Sequence, residues 1–347
     1  MSESSPGTRR AVIIASAITA FLSPFMISGT NIILPAIQNA FPSGAVLLSR
    51  VSSIYLLATA VLLVPAGKLA DIYGQKKCFA LGILVFTGAT IGAGCSVSMT
   101  MLLVMRAIQG AGGAFMVTNG TAILTSVFPP SERGRAIGIN TAAVYIGASA
   151  GPFIGGVLSS IAGWRSIFFA NALVGILSFL LVARLEGEWK GTPDDRLDIL
   201  GSFLYGAALL CLMTGAPILA EVRGAIFCVV GVLLLGLFAR RQLRLEQPVF
   251  DVRLFVGNRI FAFSSLAALI NYSATFSVAF LLSLYLQTIR AMTPQGAGLL
   301  LVIQPALQAI ISPIAGRLSD RVEPRVPATL GMGLTAIGLF MLASLDV

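Results

Sequence analysis

Eleven apolar runs, each long enough to cross a lipid bilayer, follow one another through the chain, separated by short polar turns. They lie near 11–37, 47–66, 78–98, 101–127, 136–161, 166–183, 198–217, 224–239, 260–288, 295–315 and 326–344. About 20 apolar residues, rising 1.5 Å each, match the hydrocarbon thickness. Backbone amides in lipid must be satisfied within their own segment, so the runs predict an all-α polytopic membrane protein. The first ten residues are polar and end in Arg9-Arg10, as a signal peptide begins. No small-residue cleavage site follows within reach, so the run at 11–37 is read as the first span.

Composition and charge point the same way. Of 347 residues, 56% are hydrophobic and 11% charged, too apolar for a soluble domain of this length. The net charge of +9 raises nucleic acid as a partner, yet the basic residues sit in short turns and form no patch interleaved with aromatics. Membrane lipid is the expected partner, and no nucleic acid. With the N-terminus cytoplasmic, 18 of the 23 Lys and Arg residues fall inside, including Lys190. Arg50, Arg165, Arg223 and Arg290 fall outside, and Arg106 lies within a span. That asymmetry predicts an N-in, multi-pass protein of the cell (inner or plasma) membrane, with Asp346 outside.

Several chemistries are excluded. The chain has no histidine, which removes His-ligated metals, Ser-His-Asp triads and Cys-His dyads. Its four cysteines (Cys78, Cys95, Cys211, Cys228) form no CxxC and read as small core residues. No GxxxxGK[ST] occurs, so ATP does not drive it. The expectation is no enzyme, no metal and no cofactor.

One polar turn occurs twice. GKLADIYGQKK (67–77) follows the second run, and GRLSDRVEPR (316–325) follows the tenth. In each a Gly stands four residues before an Asp, with a basic residue straight after the Gly. A duplicated six-plus-six carrier would give an offset of six runs rather than eight, so two helices, at 198–217 and 224–239, are inserted between the halves. The expected organisation is a six-helix bundle over 1–183, a linker region with two extra spans over 184–259, and an incomplete three-helix bundle over 260–347. Polar linkers flank the extra pair, 184–197 with Asp194 and Asp195, and 240–259. The second mixes Arg with Leu, Val and Phe, and reads equally as an amphipathic segment on the inner leaflet or as a solvated connector.

GKLADIYGQKK resembles the loop signature of the major facilitator superfamily. RAIQGAGGA (106–114) is similar to its fourth-helix motif and GASAGPFIGGVL (147–158) to its fifth-helix antiporter motif. GWRSIFFAN (163–171) and PVFDVRLF (248–255) resemble stretches of the fourteen-span drug:proton antiporter group, the EmrB/QacA type. The resemblance implies a major facilitator fold lacking the last three spans of that pattern.

Candidate site residues follow from cost and spacing. In the first turn, Gly67 and Gly74 permit a tight connection, while Lys76 and Lys77 pin it to an anionic leaflet. Asp71, and Asp320 with Arg321 in the second copy, are placed to accept hydrogen bonds from basic groups or to cap a helix. The resemblance implies that this Asp latches the halves on the cytoplasmic side; the alternative is a basic tether with an incidental Asp. Gln75 stands where the family has Arg, so the local pair is weaker or uses Lys76. A cation within a span costs roughly 2.5–3.5 kcal/mol, so Arg106 should face a cavity or a partner, with Gln109 one turn on and Gly110 and Gly113 opening space. The alternative is an Arg that snorkels to water from its helix end. By resemblance Arg106 couples transport to protons. On the fifth run, Ala143, Gly147, Gly151, Gly155 and Ser159 recur every four residues and put small side chains on one face, with Gly156 beside it and Pro152 kinking the helix. Close packing explains that face; the resemblance adds a gating role. Among neutral polar residues in the spans, Asn31 and Gln304 are the candidates for the substrate path.

No carboxylate lies in mid-span, and Met26 stands where many relatives have Asp, which disfavours a strongly cationic substrate. The function expected is secondary active transport of a small-molecule substrate, proton-coupled efflux of amphipathic compounds driven by a proton gradient. The competing readings are a truncated or non-transporting membrane protein, and an uptake carrier for a neutral solute.

Overall fold

The computed structural model describes residues 6–185, 187–189, 196–292 and 294–344, and every regular element among them is helical. In chain order these are α1 (Pro6–Ala40), α2 (Ala45–Tyr73), α3 (Gln75–Gly94), α4 (Met99–Val127), α5 (Pro130–Ala162) and α6 (Ser166–Ala183). They continue with α7 (Ile199–Gly215), α8 (Val222–Gln242), the short α9 (Arg253–Gly257), α10 (Arg259–Leu284), α11 (Pro294–Ser319) and α12 (Arg325–Ala343). All but α9 are long and apolar enough to cross a membrane, which gives the eleven spans that hydropathy predicts. Lys190, Asp194, Asp195 and Asp346 lie outside the described residues.

Local chemistry sets the boundaries. Gly74 separates α2 from α3 at φ +109°, a backbone angle that glycine adopts without a Cβ penalty. Ser98 caps α4 by accepting from the Met101 amide at 3.2 Å, and Asn258 caps α10 by accepting from Phe261 at 3.1 Å. Pro130 opens α5 at the first helical position, where its missing N–H costs nothing, and Glu132 adds a negative charge to that first turn. Several helices overshoot the apolar runs; α1 has 35 residues and α5 has 33, more than a bilayer needs.

The apolar core lies among α1 to α6, where Met26, Ile33, Phe79, Phe86, Leu102, Ile123 and Phe168 are fully or almost fully buried. α1 packs along α5, α3 along α4 and α6, and α2 along α4. The pair α7–α8 packs on itself and touches the rest chiefly through α2, where the Tyr205 hydroxyl donates to the Ala60 carbonyl at 3.3 Å. α11 lies against α5, while α12 buries no residue among those described and turns Leu330, Leu334, Ile337 and Phe340 outward. The Gly/Asp turns at 67–77 and 316–325 lie at one end of the helices, called here the turn side.

Candidate functional site

Arg106 is completely buried, as is Gln109. It therefore does not snorkel from the helix end. Its Nε donates to the Val51 carbonyl at 2.9 Å and its Nη1 to Gln109 Oε1. Gln109 Nε2 in turn donates to Thr90 Oγ1 at 2.6 Å, and Thr90 Oγ1 to the Phe86 carbonyl at 2.6 Å. The guanidinium lies 4.7 Å from the centre of the Tyr55 ring, whose hydroxyl shares a short hydrogen bond with Ser23. Residues from four helices thus enclose one cation with neutral acceptors and an aromatic face. Charge-assisted hydrogen bonds and a desolvated cation–π contact, roughly 2 kcal/mol each, offset much of the burial cost. Nη2 has no hydrogen-bond partner among the described residues. Gly110 and Gly113 make the room expected of them, because a Cβ on either would strike Tyr55.

The first turn is held by the segment after α6. The Gln75 amide donates to the Trp189 carbonyl at 2.7 Å, the Lys76 amide to Glu188 Oε1 at 2.8 Å, and Lys76 Nζ to the Leu185 carbonyl. Gln75 Oε1 accepts from Ser126 Oγ at 3.2 Å. Gly67 lies under Thr118, and Lys77 is exposed.

The second turn reaches across to a different helix. Asp320 Oδ1 accepts from the Gly134 amide at 2.7 Å and Oδ2 from the Arg135 amide at 2.8 Å. One carboxylate at the end of α11 thereby takes two backbone amides in the second turn of α5, near the end where the helix dipole favours negative charge. Beside it, Arg321, Arg317 and Arg135 line an open cleft. Here α5 and α11 run backbone to backbone: a Cβ on Gly134 would strike the Gly316 carbonyl, and one on Gly138 would lie 2.6 Å from the Ser312 carbonyl.

The stripe on α5 faces elsewhere. Gly147, Gly151 and Gly155 lie against Phe21, Phe25, Ser28 and Gly29 of α1. A Cβ on Gly151 would stand 2.7 Å from the Phe25 carbonyl. Gly156 looks toward Ile32 at van der Waals distance, and Pro152 is half-buried within the helix.

Beyond the tight α5–α11 crossing the helices part around a cavity of about 710 Å³, lined from α5, α10 and its following π turn, and α11. Gln304 lines it with Gln308, Ser312, Thr141 and Tyr145. Asn31 does not; it is exposed and accepts from Ser52 Oγ at 2.6 Å. The structure thus brings Arg106 and Gln109 together, places Gln304 in a separate cavity, and leaves Asn31 at neither.

The family model described as Major Facilitator Superfamily matches residues 16–345. The chain belongs to that superfamily. Among curated relatives it is 31% identical over 341 residues to the multidrug resistance protein Stp of Mycobacterium tuberculosis, covering 96% of this chain and 63% of that one. It is 31% identical to the tetracenomycin C resistance and export protein of Streptomyces glaucescens, over 90% of this chain and 59% of that protein. It is 29% identical to the riboflavin transporter RibZ of Clostridioides difficile, over 96% and 73%. The chain therefore spans about three fifths of the first two relatives' length. Among solved structures it superposes on the proton:xylose symporter XylE with a TM-score of 0.59 at 10% identity, covering 89% of this chain and 69% of that one. A bacterial homologue of the lysosomal transporter Spinster gives 0.55 at 19%, over 96% and 80%. These structures establish the fold alone: a multi-pass, all-helical major facilitator chain.

Within this major facilitator chain, sequence reasoning missed Tyr55, Ser23 and Thr90 around Arg106, the Glu188–Trp189 strap, and the Gly134–Gly138 face of α5. The last had a signal, since the two glycines stand four apart at the start of the fifth run. Tyr55 and Ser23 had none, being ordinary residues of other helices.

Proposed function

We propose that the chain provides most of a proton-coupled carrier of the fourteen-span drug:proton antiporter group, exporting small amphipathic compounds by alternating access. In this reading 1–183 form one rocking bundle, 260–347 belong to the second, and 184–259 carry the inserted pair, with the N-terminus cytoplasmic. The observation that carries it is the α5–α11 crossing, tied by Asp320 on the turn side and parting into a cavity beyond. A carrier closed at one face of the membrane needs that geometry. Arg106 and Gln109 serve proton coupling, Asp71 and Asp320 the cytoplasmic gate, and the Gly147–Gly156 region a close-packed hinge against α1. The relatives named for drug resistance and export support the direction. The test is efflux by the full-length natural protein in proteoliposomes under an imposed pH gradient. Arg106→Ala is expected to abolish flux while membrane insertion stays normal, and unaltered flux would remove the coupling assignment.

A second reading is inward movement of a neutral solute: one relative is named as a transporter without reference to resistance or export, and the described cavity-lining residues carry no charge. Flux measured in right-side-out and everted vesicles separates the two by direction.

A further inference from the structure

The cavity between α5 and α11 says which ligands it tolerates. Of its described lining residues, five have polar side chains (Thr141, Tyr145, Gln304, Gln308, Ser312) and none is charged; the remainder are aliphatic. Gln304 and Gln308 stand one turn apart on α11, and Thr141 and Tyr145 one turn apart on α5. Each wall therefore presents a pair of neutral hydrogen-bonding groups on an apolar ground. Ser312 is already occupied, donating to the Gln308 carbonyl. Charged residues at the turn-side end of this helix pair, Glu132, Arg135, Arg317, Asp320 and Arg321, line a separate cleft. Arg106 is sealed among α1 to α4 with partners of its own.

We propose that this cavity takes uncharged amphipathic molecules, held by amide and hydroxyl hydrogen bonds from Gln304, Gln308, Thr141 and Tyr145, and discriminates against permanent cations. This deepens the transport reading and rests on it for its biological meaning. A volume of about 710 Å³ lies within the range of drug-sized sites, which are mostly apolar with a few placed polar groups. An ammonium group moved from water against such a lining loses part of its hydration and meets no carboxylate among the described lining residues. Amide dipoles replace part of that hydration, so the expected discrimination is about 100-fold in favour of an uncharged isostere.

The experiment is equilibrium binding, by fluorescence anisotropy, to the full-length protein in lipid nanodiscs. The probes are a neutral aromatic dye and its quaternary-ammonium derivative of matched size. The neutral dye is expected to bind at least 30-fold more tightly. Gln304→Glu should narrow that ratio at least tenfold by supplying a counter-charge, and Gln304→Trp, which removes an amide and puts a bulky ring into the cavity, should weaken neutral-dye binding at least tenfold. Equal affinity for the two dyes, an unchanged ratio in Gln304→Glu, or undiminished binding in Gln304→Trp would each overturn the proposal. Binding needs no gradient, so its outcome is independent of flux. A protein that discriminates but moves nothing keeps this inference and loses the transport reading; export of permanent cations does the reverse.

Discussion

Asp320→Asn tests whether the α5–α11 tie holds a conformational state. The carboxylate accepts two backbone N–H bonds, at 2.7 and 2.8 Å, from the Gly134 and Arg135 amides near the start of α5. Hydrogen bonds to a charged group are worth about 1.5–3 kcal/mol each, and the helix dipole adds about 0.3–1 kcal/mol. Asp320 is half-exposed, so solvent screening brings the total toward the low end, about 3 kcal/mol. Asparagine keeps one oxygen acceptor, turns an NH₂ toward the second amide, and carries no charge. The loss is then about 2 kcal/mol, or about 30-fold in the equilibrium between turn-side-closed and turn-side-open states. A protein closed 99 times in 100 falls to about three quarters closed. The assay is pulsed electron–electron resonance between spin labels at Ser131 and Val322, both exposed near the crossing, with the native cysteines replaced by serine. The long-distance population should rise in Asp320→Asn and further in Asp320→Ala, which loses both bonds. Identical distance distributions in all three proteins would refute the idea that this carboxylate holds the turn side closed.

Other perturbations probe the remaining contacts. Gly151→Ala drives a methyl into the α1 backbone at Phe25 and Gly29; a loss of about 1–3 kcal/mol, read as a fall of several degrees in unfolding temperature in detergent, is expected. Tyr55→Phe keeps the ring beneath Arg106 and loses the bond to Ser23, so it should cost about 0.5–1.5 kcal/mol, whereas Tyr55→Leu also removes the cation–π contact and should cost more; equal unfolding temperatures for the two would deny that contact any weight. Asp198 pairs with Arg241 in a two-pronged contact, with Arg241 Nη2 at 2.8 Å from Oδ1, and accepts from the fully buried Gln242 at 2.9 Å. The Arg241 guanidinium holds its carboxyl below the usual carboxylate range, despite some opposing desolvation. Its stabilising effect is therefore complete above the unfolded pKa of about 3.9 and lost as pH falls through the lower folded value. Resistance of the α7–α8 hairpin to proteolysis should stay level from pH 8 to 5 and drop only in stronger acid; a decline near pH 6 would contradict this.

The elements that hydropathy dictates were the ones legible in the sequence. Lipid forces each apolar run into a helix, so eleven runs predict eleven spans whatever their tertiary arrangement. Arg106 was legible for a related reason, because a cation in a span is costly enough to demand partners. The partners themselves were not legible. Tyr55 comes from a helix some fifty residues earlier, and aromatic residues in spans carry no mark of which neighbour they meet. The acceptor role of Asp320 was foreseeable, but its donors are backbone amides of α5, and no side chain advertises them. Asn31 and Gln304 look alike in sequence, as amides in apolar runs. Only the packing separates them, one bonded to Ser52 and the other lining the cavity.

The fifth helix shows how one segment serves two neighbours. Gly138 and Gly147 are nine residues apart, and at 100° per residue their faces are about 180° opposed. One glycine series fits the helix to α1, the other to α11, at different levels along its axis. On the α11 side the series stops at Gly138, and Thr141 and Tyr145 continue that face. Side chains that large hold the backbones apart, so the place where glycine gives way to tyrosine is the place where the cavity opens. Facing it, Asp320, Gly316, Ser312, Gln308 and Gln304 succeed one another every four residues along α11. The row changes from carboxylate, to contact, to hydrogen-bonding wall as it leaves the turn side. Tightness at one end and space at the other thus follow from side-chain size on two helix faces, and a rocking motion between the helices need only move the point at which they part.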